Sequence, residues 1–86
     1  MKLTDKQLEK CKHMLGLDKS LKKANRNHFC SGMEEDPDLK PLIKEDLMLH
    51  EYYNTELGGH YYYLTRKGIE LVRSIVGDFK EEKELI

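Results

Sequence analysis

The sequence predicts an α+β domain, mainly helical, that carries one two-stranded β-hairpin. Three observations predict it. Apolar and aromatic residues fill Leu47–Tyr53 and His60–Leu64, and Gly58-Gly59 lies between the two runs. Helix-start signals stand at Thr4, Asp36 and Thr65, each followed by apolar residues at helical spacing. A length of 86 residues leaves room for one domain with a small core.

The first helix is predicted over Asp5–Leu15. Thr4 and Gln7 have the spacing of a capping box, and Leu3 and Leu8 that of a hydrophobic staple. Leu8, Cys11 and Leu15 lie along one helix face with Met14 beside them, and Gly16 is placed to cap the end. Cys11 on that face reads as a small core residue, because a reactive thiol needs an electropositive, partly exposed setting.

The next stretch, 17–32, has a weaker pattern. Residues 19–26 are polar and basic, and Asn27-His28-Phe29-Cys30 is expected to form a short helical turn with Phe29 buried and Gly32 closing it. Glu34-Glu35-Asp36-Pro37-Asp38 then reads as a helix entrance, with Asp36 as N-cap and Pro37 at the first helical position. Pro41 offers an alternative start for the same helix, or sits in its tight first turn. Leu39, Leu42, Ile43 and Leu47 carry the buried side, and the helix is expected to end near Asp46.

In the hairpin, Leu47, Leu49, Glu51 and Tyr53 share one strand face. On the return strand His60, Tyr62 and Leu64 share a face, with Tyr61 and Tyr63 on the other. Tyrosine covers a pleated surface while its hydroxyl stays wet. The connection Asn54–Gly59 is longer than a two-residue turn and reads as a wing-like loop. The last helix starts at Thr65, stapled by Leu64 and Ile69. Ile69, Val72, Ile75, Val76 and Phe79 form its apolar stripe. Gly68 lowers helix propensity, and close backbone approach is the compensating reason for it. Gly77 ends the helix. The domain is therefore expected over 1–78, with 79–86 a charged, fraying tail.

Fifteen Lys and Arg against sixteen Asp and Glu give a net charge of −1, with 36% of residues charged. The charge is split: residues 1–33 carry a balance of +5 and residues 34–86 one of −6. The basic third either faces a polyanion or is a solvated helix face. No apolar run is long enough for a membrane span, and no signal peptide is visible, so a cytoplasmic protein with reduced Cys11 and Cys30 is expected. Neither a Cys-x-x-Cys nor a His-x-x-x-His pattern is present, so His13, His28 and Cys30 are read as structural and no metal or cofactor is expected. The spacing of the acidic residues does not fit a calcium loop. No phosphate loop, nucleophile elbow or zinc-protease motif is present, and no enzymatic activity is expected.

The order helix, turn, helix, hairpin, helix resembles a winged helix-turn-helix domain. Leu39-x-x-Leu42-Ile43-x-x-Asp46-Leu47-Met48 and Gly58-Gly59-His60-Tyr61-Tyr62-Tyr63-Leu64-Thr65-Arg66-Lys67-Gly68 carry that resemblance. Repressors of the multiple-antibiotic-resistance type have a similar Leu-rich end to the recognition helix, then a wing and a Leu-Thr-x-x-Gly helix start. The stretch from Leu3 to Val76 also looks like small phage and prophage proteins of unassigned function. Leu3-Thr4-x-x-Gln7, His13-x-Leu15-Gly16-Leu17, Arg26-Asn27-His28-Phe29 and Gly58-Gly59 carry that second match.

The resemblance implies a DNA-binding regulator, dimeric on double-stranded DNA. Lys40 and Lys44 on the recognition helix, Lys22, Lys23 and Arg26 in the basic segment, and His60 beside the wing are its candidate contacts. Three features depart from the pattern: Asp36, Asp38, Glu45 and Asp46 surround the two lysines, the wing tip holds Glu56 and no Arg, and no clean second helix and tight turn precedes the third helix. Phosphate binding relies on Lys and Arg. The alternative is a protein-interaction module, such as a phage-encoded inhibitor of a host defence or replication protein. Glu34, Glu35, Asp36, Glu56, Tyr61 and Tyr63 would then make the contact.

Overall fold

In the computed structural model, which describes residues 1–17, 23–56 and 58–81, helix α1 spans Asp5–Leu15. Its capping box is formed: the Thr4 hydroxyl accepts from the Gln7 amide at 3.1 Å, and the Gln7 side chain accepts from the Thr4 amide at 2.9 Å. Gly16 caps the other end in the left-handed conformation. Cys11, Met14 and Leu15 are buried along one face.

Strands β1 (Lys23–Ala24) and β2 (Phe29–Gly32) follow, then α2 (Lys40–Lys44), β3 (Met48–Tyr53), β4 (Gly59–Leu64), α3 (Arg66–Val76) and β5 (Lys80–Glu81). β2, β4 and β3 form an antiparallel sheet in that order, with β4 central. The hairpin pairs as expected, from Met48 opposite Leu64 to Tyr53 opposite Gly59. β1 and β5 make a separate parallel pair. Helix α3 starts at the Thr65 cap, which accepts from the Gly68 amide at 3.1 Å. A Cβ on Gly68 would stand 2.0 Å from the Leu47 carbonyl oxygen, so the close approach inferred for this glycine is real.

The domain is a mixed α/β one, not mainly helical: 36% of the described residues are helical and 27% lie in strands. It lacks the helix pair of a helix-turn-helix motif among the described residues, since α2, the helix before the hairpin, has only five residues. The physical reason lies in two segments. Between Asn25 and Asp38 the apolar residues Phe29 and Met33 are too few for an amphipathic helix face. The expected turn at Asn27–Cys30 is replaced by β2, with Phe29 opposite Tyr62 and Cys30 opposite Tyr61. Asn27 extends that ladder with its side chain, donating to the Leu64 carbonyl at 2.9 Å and accepting from its amide at 2.8 Å.

The second segment is the helix entrance. Pro41 has no amide hydrogen and is tolerated only in a first turn, so α2 cannot run back to Pro37. Asp36 is therefore not an N-cap, and the alternative start near Pro41 is the one adopted. Asp46, at φ 60°, ends the helix and turns the chain into β3. Asp36 is instead buried; its carboxylate accepts from Lys10 Nζ at 2.8 and 2.6 Å and from the Asp38 amide at 3.0 Å. The Gln7 side chain donates to the Asp38 carbonyl at 2.9 Å, so α1 holds the whole 36–38 turn.

The core combines Cys11, Met14, Leu15, Leu17 and Ala24 from the first part of the chain with Leu39, Leu42, Leu47 and Met48 from the middle. Tyr62, Leu64, Ile69, Val72 and Phe79 complete it. Leu8, Ile43 and Val76 pack at its margin. Ile75, assigned to the α3 stripe, is exposed, because at helical spacing it lies about 100° around the helix from Val76, off the side that Ile69, Val72 and Val76 present to the core. Beyond Gly77 the described residues stay attached as far as Glu81: Phe79 is buried beneath the Arg73 guanidinium, 4.5 Å from its ring centre, and Lys80–Glu81 pairs with Lys23–Ala24, while the rest of the expected tail, 82–86, lies outside the described residues. Arg73 also holds Glu81 at 3.0 Å, and Arg66 holds it at 2.7 Å. These partners keep the Glu81 carboxyl below its usual range, the Arg66 hydrogen bond contributing most.

Candidate functional site

The hairpin sets two unlike surfaces back to back, because neighbouring residues on a strand point to opposite faces. One face carries Met48, His50 and Tyr52 from β3, His60, Tyr62 and Leu64 from β4, and Phe29 from β2. Its inner end is core. Towards the hairpin tip it changes to His50, His60 and Tyr52. The opposite face carries Leu49, Glu51 and Tyr53 from β3, Tyr61 and Tyr63 from β4, and Cys30 from β2. There Leu49 is 58% exposed and Tyr53 45% exposed.

The outer face is tied together locally. The Tyr53 hydroxyl donates to the Glu51 carboxylate, which pushes the phenol up to about 12 and keeps it a neutral donor. Tyr53 and Tyr61 meet edge to face with ring centres 5.4 Å apart. A hydrogen bond with Cys30 holds the Tyr61 hydroxyl above the usual phenol range.

The residues proposed for DNA contact lie on separate elements. Lys40 and Lys44 point outward from α2 while Leu39 and Leu42 point inward, as their spacing predicts. Lys40 is held by Glu35 at 3.1 Å. Arg26 donates to the His13 carbonyl from Nε at 3.0 Å and Nη2 at 2.6 Å, which fixes it at the end of α1. Lys23 lies in the small parallel pair, and Lys22 falls outside the described residues. His60 is engaged with His50 on the inner side of the sheet, Nε2 of His50 lying 2.7 Å from Nδ1 of His60.

The residues proposed for a protein contact are likewise divided. Tyr61 and Tyr63 belong to the outer face. Glu35 lies by His50 and His60, on the opposite side of the sheet. Glu34 and Glu56 are exposed, whereas Asp36 is buried against Lys10 and withdrawn from any contact surface. A surface depression of about 450 Å³ beside α1 is lined by charged side chains, and one of about 340 Å³ between the α2–β3 connection and α3 is lined by Met1, Glu45, Leu47, Lys67, Glu70 and Leu71.

Sequence reasoning overlooked Leu49 and Tyr53 as surface residues, and it overlooked His50. The hairpin alternation contains the signal for all three. Residues 49 and 53 share a parity opposite to buried Met48, and 50 and 60 are diagonal neighbours in the observed register. No helix among the described residues is long and apolar enough to cross a membrane. Comparison with family models, curated proteins and solved structures finds no match to this chain.

Proposed function

We propose that the protein is a binding module that engages a protein partner through the outer face of its three-stranded sheet. The observation that carries this is the exposure of Leu49 and Tyr53 beside Tyr61 and Tyr63, with β3 at the sheet edge. Tyrosine is favoured at interfaces because it buries a large rigid body and keeps a polar tip. An edge strand also offers unpaired backbone groups to an incoming strand. Glu51 on the face and the −6 balance of residues 34–86 favour a partner whose apolar centre is bordered by Lys or Arg. Affinity capture from host extract, with and without nuclease, tests the proposal. A nuclease-resistant protein lost on Leu49→Ala/Tyr53→Ala supports it, and a partner set removed by nuclease rejects it.

The outward placement of Lys40 and Lys44 favours a second reading, a DNA-binding regulator. Glu35, Glu45 and Asp46 around them oppose phosphate. Titration of random duplex and promoter fragments at two salt concentrations distinguishes the readings. Each lysine that contacts phosphate should lower the salt slope by about one unit when replaced by alanine. Parent affinity weaker than about 0.1 mM, or an unchanged slope in Lys40→Ala/Lys44→Ala, rejects DNA recognition by α2.

A further inference from the structure

At the hairpin tip, on the sheet face opposite Tyr61 and Tyr63, three side chains of metal-ligating type converge. One ligand atom each from Glu35, His50 and His60 lies within 4.8 Å of the others. They come from two different parts of the chain: the loop after β2 and the two strands of the hairpin. We propose that Glu35, His50 and His60 bind a divalent first-row transition ion of the zinc class.

The geometry around the three groups is that of a supported site. His50 stacks on Tyr62, with ring centres 4.8 Å apart and planes within 15°. His60 packs against Tyr52 at 4.6 Å. The two imidazoles are within 16° of parallel, and their facing nitrogens are 2.7 Å apart. Two imidazole nitrogens on one tetrahedral zinc stand about 3.3 Å apart, given bonds of about 2.0–2.1 Å. To take an ion the two nitrogens must move apart by roughly half an ångström and each ring must turn so that its lone pair points at the ion instead of at the other nitrogen.

Glu35 is placed by its neighbour. The Asp36 amide donates to the Tyr62 hydroxyl at 2.9 Å, and the Asp36 carboxylate is clamped by Lys10. The same buried tyrosine thus supports the His50 ring and fixes the backbone next to Glu35. Supporting contacts of this kind orient ligands and strengthen metal sites. Lys40 opposes binding, since its ammonium lies 3.1 Å from the Glu35 carboxylate. Its side chain is exposed, so it can swing into solvent when a cation arrives. Two imidazoles and a carboxylate select zinc-class ions over magnesium or calcium, which require oxygen ligands. The fourth position faces solvent and is left to water. A bound ion would fasten the loop after β2 to the hairpin tip.

The test uses the full chain with zinc chloride as the only added ligand, read by calorimetry and by competition with a chromophoric chelator. The expected result is one saturable ion per chain, with no saturable binding of magnesium. His50→Ala and His60→Ala should each weaken zinc binding at least about tenfold, the lower end of the loss seen when even outer-shell support is removed. Glu35→Gln, on an exposed loop where folding is not at stake, should also weaken it. Nitrogen-detected NMR should show the His50 Nε2 and His60 Nδ1 resonances moving on zinc addition while those of His13 and His28 stay in place. Zinc binding that persists unchanged in His50→Ala/His60→Ala, or no binding by the parent at zinc far above the protein concentration, overturns the proposal. So does an unaltered affinity in Glu35→Gln.

Discussion

The two faces of one sheet have opposite fates in this protein. On the inner face Tyr62 and Leu64 are each 1% exposed, covered by α1 and α3. On the outer face Leu49 and Tyr53 stand about half in solvent. The strands are similar in composition on both sides, so residue type alone does not explain the difference. Helix docking does. Gly68 lets α3 approach the Leu47 carbonyl, the Lys10 clamp draws the 36–38 turn onto α1, and the residues these helices bury share one core with Tyr62 and Leu64. Parity separates buried Tyr62 from exposed Tyr53 only where helices cover the sheet, since Tyr52, near the hairpin tip, has the inner parity and is 47% exposed.

That contrast can be broken first by truncation. Leu64→Ala on the inner face should cost about 2–5 kcal/mol, as buried leucine truncations do. Leu49→Ala, its outer counterpart, should change stability by no more than about 0.5 kcal/mol. Urea titration of the two variants measures both. Equal losses would mean that the outer face is packed against something in the isolated chain.

A smaller effect sharpens the role of Tyr62. Tyr62→Phe keeps the ring and removes the acceptor for the Asp36 amide. The buried donor left behind should cost about 1–3 kcal/mol. Tyr63→Phe on the outer side should be close to neutral by the same melt.

The cysteines probe the contrast chemically. Cys11 is fully buried, and loss of solvation pushes its thiol from 9.0 up to about 12. Between those values the unfolded chain loses the proton while the folded chain keeps it. Stability from this group is therefore complete below pH 9 and falls by about 1.4 kcal/mol per pH unit above it. Comparing parent with Cys11→Ala isolates that slope from other titrating groups. Under native conditions iodoacetamide should modify exposed Cys30 and spare Cys11. Modification of both at one rate would contradict the burial.

Much of this arrangement is legible in the sequence where the signal is local. The Thr4–Gln7 capping box, the Thr65 N-cap, the Gly16 and Gly77 helix ends, and the hairpin register follow from spacings of a few residues. The same holds for Leu42 and Val72 in the core. Long-range pairing was harder to read. β2 has no alternating pattern of its own and exists because β4 and the Asn27 side chain supply its partners. The Asp36 signal was ambiguous because one carboxylate can cap a helix or take a lysine, and Lys10 lies 26 positions away. The candidate surface is half legible: Tyr61 and Tyr63 stand out in the sequence, whereas Leu49 and Tyr53 are placed on a shared strand face with Leu47 and Glu51 without being assigned to core or surface.

Contact between the outer face of the sheet and a protein partner is read by site-specific photo-crosslinking. A photoreactive residue is placed either at Leu49, on that face, or at Lys44, on α2, and each protein is irradiated in cell extract treated with nuclease. Position 49 should give a discrete protein adduct and position 44 none. Adducts from position 44 alone, or crosslinks to nucleic acid when nuclease is omitted and none to protein from position 49, would contradict it.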